Sequence, residues 1–315
     1  MISTLELARI CGVSQGTVDR ALHGRAGVSP ATRDRVLKEA AARGHRPHPA
    51  AREILTGRSP IVQAVLPAAN NLFFMDLAER LASALAERGL RLQIAVVRDR
   101  ETLVEALEDA AARRQRLSIV VPPEDGILLP EALVRDLPMA FLLAPCANPG
   151  VPFVGADEER TGRDGVAHLA ARGHRRIAFL TSARRTHAVE ARASGYRKEM
   201  KARKGAPHIF QSDDLAALPE WLREHRSTAL FCHNDWLAAR AILALQRRGV
   251  AIPGELSVLG IDDSPTLISL FPELSTLAYP VRETIQALLA VLDGKGGRTI
   301  PAPFRLVPRG TLAAV

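Results

Sequence analysis

A short stretch that begins at Ser14 carries side chains able to read nucleic-acid bases. Val18 and Leu22 recur at a helical spacing, so residues 14–22 form an amphipathic helix with an outward polar face. The outward positions are Gln15, Gly16, Thr17, Asp19 and Arg20. Glutamine can bond adenine and arginine can bond guanine in bidentate fashion. The hydroxyls of Ser14 and Thr17, with the N–H groups at the helix start, can hold phosphate.

Glycine is an unexpected choice inside this helix. Gly16 costs about 1 kcal/mol of helix propensity relative to alanine. A glycine there would let the start of the helix approach base edges closely. The alternative is a small helical domain whose polar face is merely solvated.

The surrounding residues predict two further helices. Ser3 and Glu6 form a capping box that opens the first helix, and Gly12 closes it. We take Leu5, Ala8 and Ile10, which lead to Cys11, as the apolar residues of that helix. Ser14 is a good N-cap for the second helix. Ser29 and Pro30 start a third helix, which runs through Val36, Leu37 and Ala40 to a stop at Gly44. Two helices joined by a tight glycine turn form a helix-turn-helix.

The charge of the chain is concentrated near these helices. The formal net charge is +8 at pH 7. Residues 1–60 hold ten lysines and arginines against five acidic residues, whereas residues 61–315 hold 32 against 29. A small basic unit ahead of a nearly neutral large one is typical of binding to a polyanion, most simply nucleic acid. A basic surface that only serves solubility is the alternative.

From Ile61 onward, apolar strands alternate with helices in two series. The first series contains IVQAVLP, RLQIAVV, LSIVVPP and MAFLLAP, and the second contains RRIAFLTS, PHIFQS, TALFCHN and LSVLGIDD. Nearly continuous apolar strands between helices predict parallel, doubly wound sheets. Two series predict two lobes with a cleft, and ligands bind such sheets at the carboxyl ends of the strands.

The segment between the two parts is a linker by composition. Residues 45–60 are rich in proline and histidine, yet residues 49–57 could form two helical turns from Pro49 to Gly57. A helix this short is not stable alone in water. It would form only when something holds it.

These motifs together resemble the lactose-repressor (LacI/GalR) family of bacterial transcription regulators. The resemblance rests on residues 4–47 and on AAREILTG in the linker. It continues in NNLFFMDLAERLASALAERG, GHRRIAFLTS, ARASGYR, FCHNDWLAARAILALQRRGVAIPGELSVLGIDDSP and the closing VPRGT. It implies an all-α helix-turn-helix domain followed by an α/β, two-lobed, periplasmic-binding-protein-like effector domain. It also implies a dimeric repressor whose affinity for a palindromic DNA operator is changed by a small molecule.

The resemblance assigns roles to residues of the first part. The base-reading positions are Gln15 and Gly16, Arg20 makes the guanine-type contact, and Ile54 inserts into the minor groove where the family usually has leucine. Asp19 departs from the serine that is usual there, and should weaken non-specific binding slightly. The expected DNA-binding residues are Ser14, Gln15, Gly16, Thr17, Arg20, His23, Ala51, Arg52 and Ile54.

The resemblance also assigns a ligand site in the cleft. The expected ligand-binding residues are Phe73, Phe74, Arg192, Asn234, Trp236 and Asp262, with Phe74 favoured over Phe73 in the pocket. For Asp235, Asp263 and His233 we expect capping or positioning of neighbours. Sugar-binding members often carry an acidic residue where this chain has Leu143, Ala144 and Pro145.

The nature of the ligand stays open at this point. Arg184, Arg185 and His187 lie close to the expected cleft mouth, so an anionic or phosphorylated ligand is one reading. Solvated loop residues are the other reading. A sugar or related metabolite is the class that the resemblance implies.

Other classes of protein fit the sequence less well. The chain shows no nucleophile elbow, Walker sequence, dinucleotide-binding glycine turn or zinc spacing, so we expect no catalysis, metal or cofactor. No window of 18 apolar residues predicts a membrane span. Three widely spaced cysteines and the lack of a signal peptide indicate a cytoplasmic protein. The alternative function is a cytoplasmic sugar-type binding protein that does not regulate DNA.

The predicted organisation has three parts. Residues 1–46 form the helix-turn-helix domain, residues 47–59 the hinge, and residues 60–315 the effector-binding and dimerisation domain. Within the last part, we expect an N-lobe of about 60–157 and 278–300 and a C-lobe of about 158–277 and 301–315. A palindromic operator requires a homodimer. Whether the protein represses or activates is not decided by its sequence.

Overall fold

The structure is a computed structural model of the 315-residue chain, and it describes residues 2–22, 24–44, 59–68, 71–300 and 302–315. Its internal contacts divide the chain into two units, Met1–Ser59 and Pro60–Val315. Each unit has its own core and is described separately. The predicted residues His23, Ala51, Arg52 and Ile54 lie outside the described residues.

The described residues of the first unit form three helices. They are α1 (Thr4–Cys11), α2 (Gln15–Leu22) and α3 (Pro30–Ala42). Ser3 and Glu6 form the predicted capping box, and Gly12 ends α1 at φ 61°, a left-handed conformation that glycine adopts without strain. Ser29 caps α3 by accepting a hydrogen bond from the N–H of Thr32. The helix-turn-helix arrangement expected from these signals is therefore present.

The buried face of α1 differs from the expected one. Leu7, Ala8 and Cys11 are buried, whereas Leu5 and Ile10 are 50% and 42% exposed. These core residues pack against Val18 and Ala21 of α2 and Val36 and Ala40 of α3. Our choice of Leu5 and Ile10 was wrong because apolar residues surround this short helix, and only tertiary packing selects one face.

The second unit contains two sheets, each with helices on both sides. The strands of the first sheet are β1 (Ile61–Pro67), β2 (Arg91–Val97), β3 (Leu117–Val120), β4 (Met139–Leu142), β5 (Phe153–Val154) and β11 (Arg298–Thr299). The strands of the second sheet are β6 (Ile177–Thr181), β7 (His208–Gln211), β8 (Ala229–Cys232), β9 (Ser257–Asp262), β10 (Ser275–Ala278) and β12 (Arg305–Val307).

The helices of this unit alternate with the strands. They are α4 (Phe73–Ala86), α5 (Arg100–Ala112), α6 (Glu131–Asp136), α7 (Glu158–Ala170), α8 (His187–Ala202), α9 (Leu218–Glu224), α10 (Asp235–Gln246), α11 (Pro265–Leu270) and α12 (Val281–Leu292). We did not predict α11 or α12 from the sequence. Asn234 caps α10 and Ser264 caps α11, each through its side-chain oxygen.

The strand order defines two lobes. The first sheet has the order β11-β5-β4-β3-β1-β2, and the second has β12-β10-β9-β8-β6-β7. The pairs are parallel except for β10 with β12, which is antiparallel. We call the parts built on the first and second sheets the N-lobe and the C-lobe. The doubly wound architecture expected from the alternating strands is confirmed.

Two glycines allow α7 and α8 to pack closely in the C-lobe. A Cβ atom on Gly195 would lie 1.9 Å from the backbone oxygen of Glu159, and one on Gly162 would lie 2.1 Å from the backbone oxygen of Arg192. Because these neighbours are backbone atoms, they cannot move aside as a flexible side chain can. The glycines therefore set the separation of the two helices.

We expect Gly195→Ala to lower the free energy of unfolding by about 1–3 kcal/mol, because the added methyl group forces α8 away from α7. Gly297→Ala is the matched control, since a Cβ there meets no atom within 4 Å. Urea unfolding followed by circular dichroism measures both variants. Equal stability of the two would show that the helices can separate without cost.

Candidate functional site

The outward face of α2 is exposed and polar. Gln15, Gly16 and Arg20 are exposed, whereas Val18 and Ala21 are buried beneath them. The hydroxyl of Ser14 accepts a hydrogen bond from the N–H of Thr17 at 3.1 Å and lies 2.9 Å from the Thr17 hydroxyl. Ser14 therefore caps the helix start, as expected, and Gln15 and Gly16 follow at its first positions.

Packing does not explain the glycine in this helix. A Cβ on Gly16 would have only the Ser14 hydroxyl within 4 Å, at 3.9 Å. Alanine would therefore fit, and it would be the better helix former by about 1 kcal/mol. Contacts with the described residues of the unit therefore do not require a glycine at this position.

Two of the polar side chains on this face have partners within the unit. The Gln15 amide donates to the Thr4 hydroxyl at 3.0 Å, which ties the start of α2 to α1. Asp19 forms an ion pair with Arg25 at 3.1 Å. The negative charge that we expected to oppose phosphate is therefore countered by a neighbouring cation.

The second unit has a cavity between its lobes. Its volume is about 460 Å³, and it lies at the carboxyl ends of β1, β3 and β4 on one side and β6, β8 and β9 on the other. The six residues predicted to bind ligand all line it: Phe73, Phe74, Arg192, Asn234, Trp236 and Asp262. The structure thus brings together residues that are up to 189 positions apart in the sequence.

The two walls of the cavity differ in chemistry. The N-lobe wall is largely apolar and includes Pro67, Phe74, Val121, Pro122, Leu143 and Ala144. The C-lobe wall is largely polar and includes Ser182, Arg184, Thr186, His187, Asn234 and Asp262. The apolar stretch at 143–144 is the place where we noted the missing acidic residue. The cavity therefore suits a molecule with one apolar face and one hydrogen-bonding edge.

Phe73 and Phe74 have different surroundings at the start of α4. Phe73 is 4% exposed and packs edge-on against Tyr279, with ring centroids 5.0 Å apart. Phe74 is half-buried and has its ring centroid 5.8 Å from that of Phe73. Phe73 thus belongs to the core as well as to the cavity wall, and Phe74 is the more accessible ring.

A buried ion pair lies in the C-lobe wall. Arg192 Nε lies 2.6 Å from Glu158 Oε2, and the two side chains are 6% and 1% exposed. Arg192 also donates to the backbone oxygen of His233, and its guanidinium lies 5.7 Å from the ring centroid of Phe304. We expected Arg192 to bind the ligand, but its positive charge is already balanced by Glu158 within the protein. Arg192 can still donate a hydrogen bond, but it brings no net charge to the cavity.

Asp262 enters the cavity from a constrained backbone. Asp262 and Asp263 have φ values of 127° and 56°, which residues with a Cβ rarely adopt. The Asp262 side chain is buried, and its Oδ2 atom has no hydrogen-bond partner in the described part of the chain. Burial raises its pKa well above the usual value, while the charge of Arg192 opposes that shift. A ligand hydroxyl or amine would satisfy the open oxygen.

Asp235 and Asp263 hold this backbone, as we expected of them. Oδ2 of Asp235 accepts from the N–H groups of Asp263 and Ser264 at 2.8 and 3.3 Å, and Oδ1 accepts from the Thr276 hydroxyl at 2.6 Å. Asp263 forms an ion pair with Arg309 at 2.7 Å. Burial raises the pKa of Asp235, and these three hydrogen bonds act against the rise.

Several cationic residues near the cavity mouth already form hydrogen bonds or ion pairs within the protein. Arg184 donates to the backbone oxygen of Pro123 in the opposite lobe, and Arg240 donates to that of Asp213 at 2.6 Å. Arg185 pairs with Glu190 at 2.6 Å and is not among the lining residues. His187 is exposed at the start of α8. Arg184 and His187 line the cavity, and Arg184 also joins the two lobes through its bond to Pro123.

Several residues that line the cavity were not predicted from the sequence. Tyr279 and Asn71 line the cavity, and Asn71 Oδ1 accepts a hydrogen bond from the N–H of Phe73 at 3.1 Å. Tyr279 follows β10, a strand that we did not predict, and so no signal marked it. Asn71 precedes α4 and could have been found as a polar residue that follows the first strand.

The described part of the chain holds no cluster of three or more His, Cys, Asp or Glu side chains arranged to bind a metal. It also contains no helix that is both long and apolar enough to span a membrane.

Comparisons with known proteins agree with this architecture. Residues 166–312 match a family described as a periplasmic binding protein-like domain. The chain is 29% identical to the HTH-type transcriptional regulator AscG of Escherichia coli K12, over 100% of this chain and 99% of the relative.

Two solved structures share the fold. The Lac repressor dimer bound to operator and the anti-inducer ONPF has a TM-score of 0.86 at 24% identity, over 99% of both chains. A complex of the regulator CelR with cellobiose has a TM-score of 0.66 at 23% identity, over 99% of this chain and 100% of the other.

Fold and site therefore define a class: a helix-turn-helix unit followed by a two-lobed body of the periplasmic-binding-protein type. Within that class, the chain is similar over nearly its whole length to HTH-type transcriptional regulators of the lactose-repressor (LacI/GalR) kind.

The buried His233 should make stability depend on pH. Burial, helped by the charge of Arg192, lowers the pKa of His233 to about 3, whereas an unfolded histidine titrates near about 6.5. Between these values the unfolded chain binds a proton that the folded chain does not, so the free energy of unfolding falls as the pH drops below about 6.5.

We expect His233→Gln to remove this contribution. From pH 7 to pH 5, the wild type should lose about 2 kcal/mol more of its unfolding free energy than the variant loses. Urea unfolding at pH 7, 6 and 5 measures the difference. His187→Gln, at an exposed position, is the control and should follow the wild type. Parallel curves for the wild type and His233→Gln would contradict the assignment.

Proposed function

We propose that this protein is a repressor that binds a palindromic DNA operator as a homodimer and responds to a small molecule bound between its lobes. The observation that carries the proposal is the outward face of α2, where Gln15, Gly16 and Arg20 are exposed on a capped helix. We keep residues 1–46 as the DNA-binding part, 47–59 as the hinge and 60–315 as the effector-binding part.

The polar side chains of α2 are suited to reading the major groove. Arg20 would bond guanine and Gln15 adenine, after exchanging its bond with Thr4 for one to the base. Ser14 and Thr17 would contact phosphate at the helix start. His23, Ala51, Arg52 and Ile54 remain assigned to DNA by the family resemblance alone.

The asymmetric cavity supports a small, partly apolar effector. Asp262 has an oxygen without a partner in the described part of the chain, and Asn234 lines the same cavity, so both side chains can bond hydroxyl or amine groups. Phe74 and Trp236 are half-buried and can stack on the apolar face of a ring. A sugar, a sugar derivative or a related metabolite has both features. The CelR relative that shares the fold was solved with cellobiose.

An exposed apolar patch supports the homodimer. Met75 on α4 and Ile94 and Val96 on β2 are 55%, 41% and 66% exposed. Ile94 and Val96 are two positions apart and so lie on the same face of β2, which is an edge strand of its sheet. Proteins rarely leave such an edge uncovered, and a second copy of the same surface would cover it.

The experiment that tests the function is selection of binding sites from random duplex DNA with the purified full chain at near-physiological salt. We expect an enriched palindrome, and a mass of two chains in sedimentation velocity. Addition of pooled sugars and sugar phosphates should then change the affinity for that palindrome. If no sequence is enriched, either with or without these pools, the result would favour a small-molecule binding protein without a regulatory DNA site.

Gly16→Ala separates a structural role of the glycine from a role at DNA. Because alanine fits at this position, we expect the variant to raise the helix stability of the first unit by about 0.5–1 kcal/mol. The added methyl group lies on the DNA-facing side of α2, so binding to the selected palindrome should weaken at least about tenfold.

Thermal unfolding and fluorescence anisotropy with the selected duplex measure the two effects. Binding equal to that of the wild type would show that α2 does not approach the bases at Gly16. Lower stability of the variant would show instead that the glycine serves the fold.

A further inference from the structure

One carboxylate of the N-lobe bonds the C-lobe loop that carries Asp262. Asp76 lies in the first turn of α4 and is buried. Its Oδ2 accepts from the hydroxyl of Ser264, and its Oδ1 accepts from the hydroxyl of Thr266 at 2.5 Å. The N–H of Thr266 lies 3.4 Å from Oδ2. Residues 188 and 190 positions apart therefore meet across the two lobes.

The other end of this loop lines the cavity. Asp262 lines the first cavity. The positive φ values of Asp262 and Asp263 turn the chain away from the cavity wall toward Ser264. Asp235 holds the N–H groups of Asp263 and Ser264 from the C-lobe side. The loop is thus fastened to its own lobe by Asp235 and to the other lobe by Asp76.

Open space lies next to this contact. A second cavity of about 440 Å³ is lined by Asp76, Asp262 and Ser264, among others, and Asp262 also lines the first cavity. A loop with space on both sides can shift without displacing a packed core. Rearrangement near Asp262 would therefore reach the bonds to Asp76 directly.

We propose that Asp76, with Ser264 and Thr266, forms a latch between the lobes, and that occupancy of the cavity at Asp262 controls it. This inference rests on the proposed function and adds the means of regulation. Asp76 acts as a positioning residue, since it does not line the first cavity among the described residues. Its charge-assisted hydrogen bonds are stronger than bonds between neutral groups and so can bias one arrangement of the lobes.

The variants are Asp76→Asn, Thr266→Val and their combination in the full chain. Asp76→Asn keeps the shape of the side chain, but it replaces one acceptor oxygen with an NH₂ donor that faces the hydroxyl of Ser264 or Thr266. Thr266→Val removes the hydroxyl that donates to Asp76 from the C-lobe. Because Thr266 is exposed, the variant should fold. Asp109→Asn is the matched control, because it removes the same charge from the N-lobe while Asp109 pairs with Arg113 on its own helix.

The first measurement is amide hydrogen exchange of residues 262–270 and 73–86, without any ligand. Each single variant should speed exchange in both segments about tenfold, whereas Asp109→Asn should leave them unchanged. The double variant should exchange no faster than the faster single variant, because both changes remove one interaction. Unchanged exchange, multiplied effects in the double variant, or equal acceleration throughout the C-lobe would overturn the latch.

The second measurement is affinity for the palindrome obtained by selection. Loss of the latch should change that affinity by at least about fivefold in Asp76→Asn and not in Asp109→Asn. Wild-type affinity in Asp76→Asn would overturn the regulatory role. If no DNA sequence is selected, the proposed function fails, while the exchange measurements still decide whether the latch exists.

Discussion

The buried ion pair of Arg192 and Glu158 is the interaction on which the C-lobe side of the cavity depends. The two charges lie 2.6 Å apart on neighbouring helices and are almost wholly removed from water. Such a pair is costly to break, because one partner alone would leave an uncompensated buried charge. The close approach of the helices at Gly162 and Gly195 keeps the pair together, and the bond from Arg192 to the backbone of His233 extends this order to the end of β8.

A second set of fixed charges orders the loop after β9. Asp235 binds its backbone, Arg309 balances Asp263, and Asp76 reaches it from the opposite lobe. Several polar groups that frame the cavity therefore already have partners. His233 Nδ1, the Tyr279 hydroxyl and Asp262 Oδ2 have none in the described part of the chain, and Asp262 Oδ2 is the carboxylate oxygen among them. Unsatisfied polar atoms in a buried setting are costly unless something bonds them, which makes this oxygen a natural point of ligand recognition.

Much of the architecture could be predicted from local pattern. Long apolar strands such as IVQAVLP and capped helices such as α1 and α3 carry strong signals within a few residues. Because parallel strands end at one edge of a sheet, Asn234 and Asp262 could be assigned to one cleft without coordinates. The two-residue strands β5 and β11 show no periodicity, and so the sequence could not reveal them.

Contacts between distant residues were the main limit. The face of α1 that is buried depends on α2 and α3, and so Leu5 and Ile10 could not be told from Leu7 by spacing. The meeting of Asp76 with Thr266 depends on the relative placement of two lobes, which no local pattern encodes. Arg192 was found as a cleft residue, but its partner Glu158 lies 34 positions away on another helix.

The order of strands in the two sheets has a consequence for synthesis on the ribosome. β11 forms the edge of the first sheet beside β5, and β12 forms the edge of the second sheet beside β10. Both strands lie within residues 298–307, so each lobe waits for the same late segment before its sheet is complete. The core that the described residues of the first unit form lies within the first 44 residues and can fold much earlier. A nascent chain therefore acquires its helix-turn-helix unit well before it has a finished cavity.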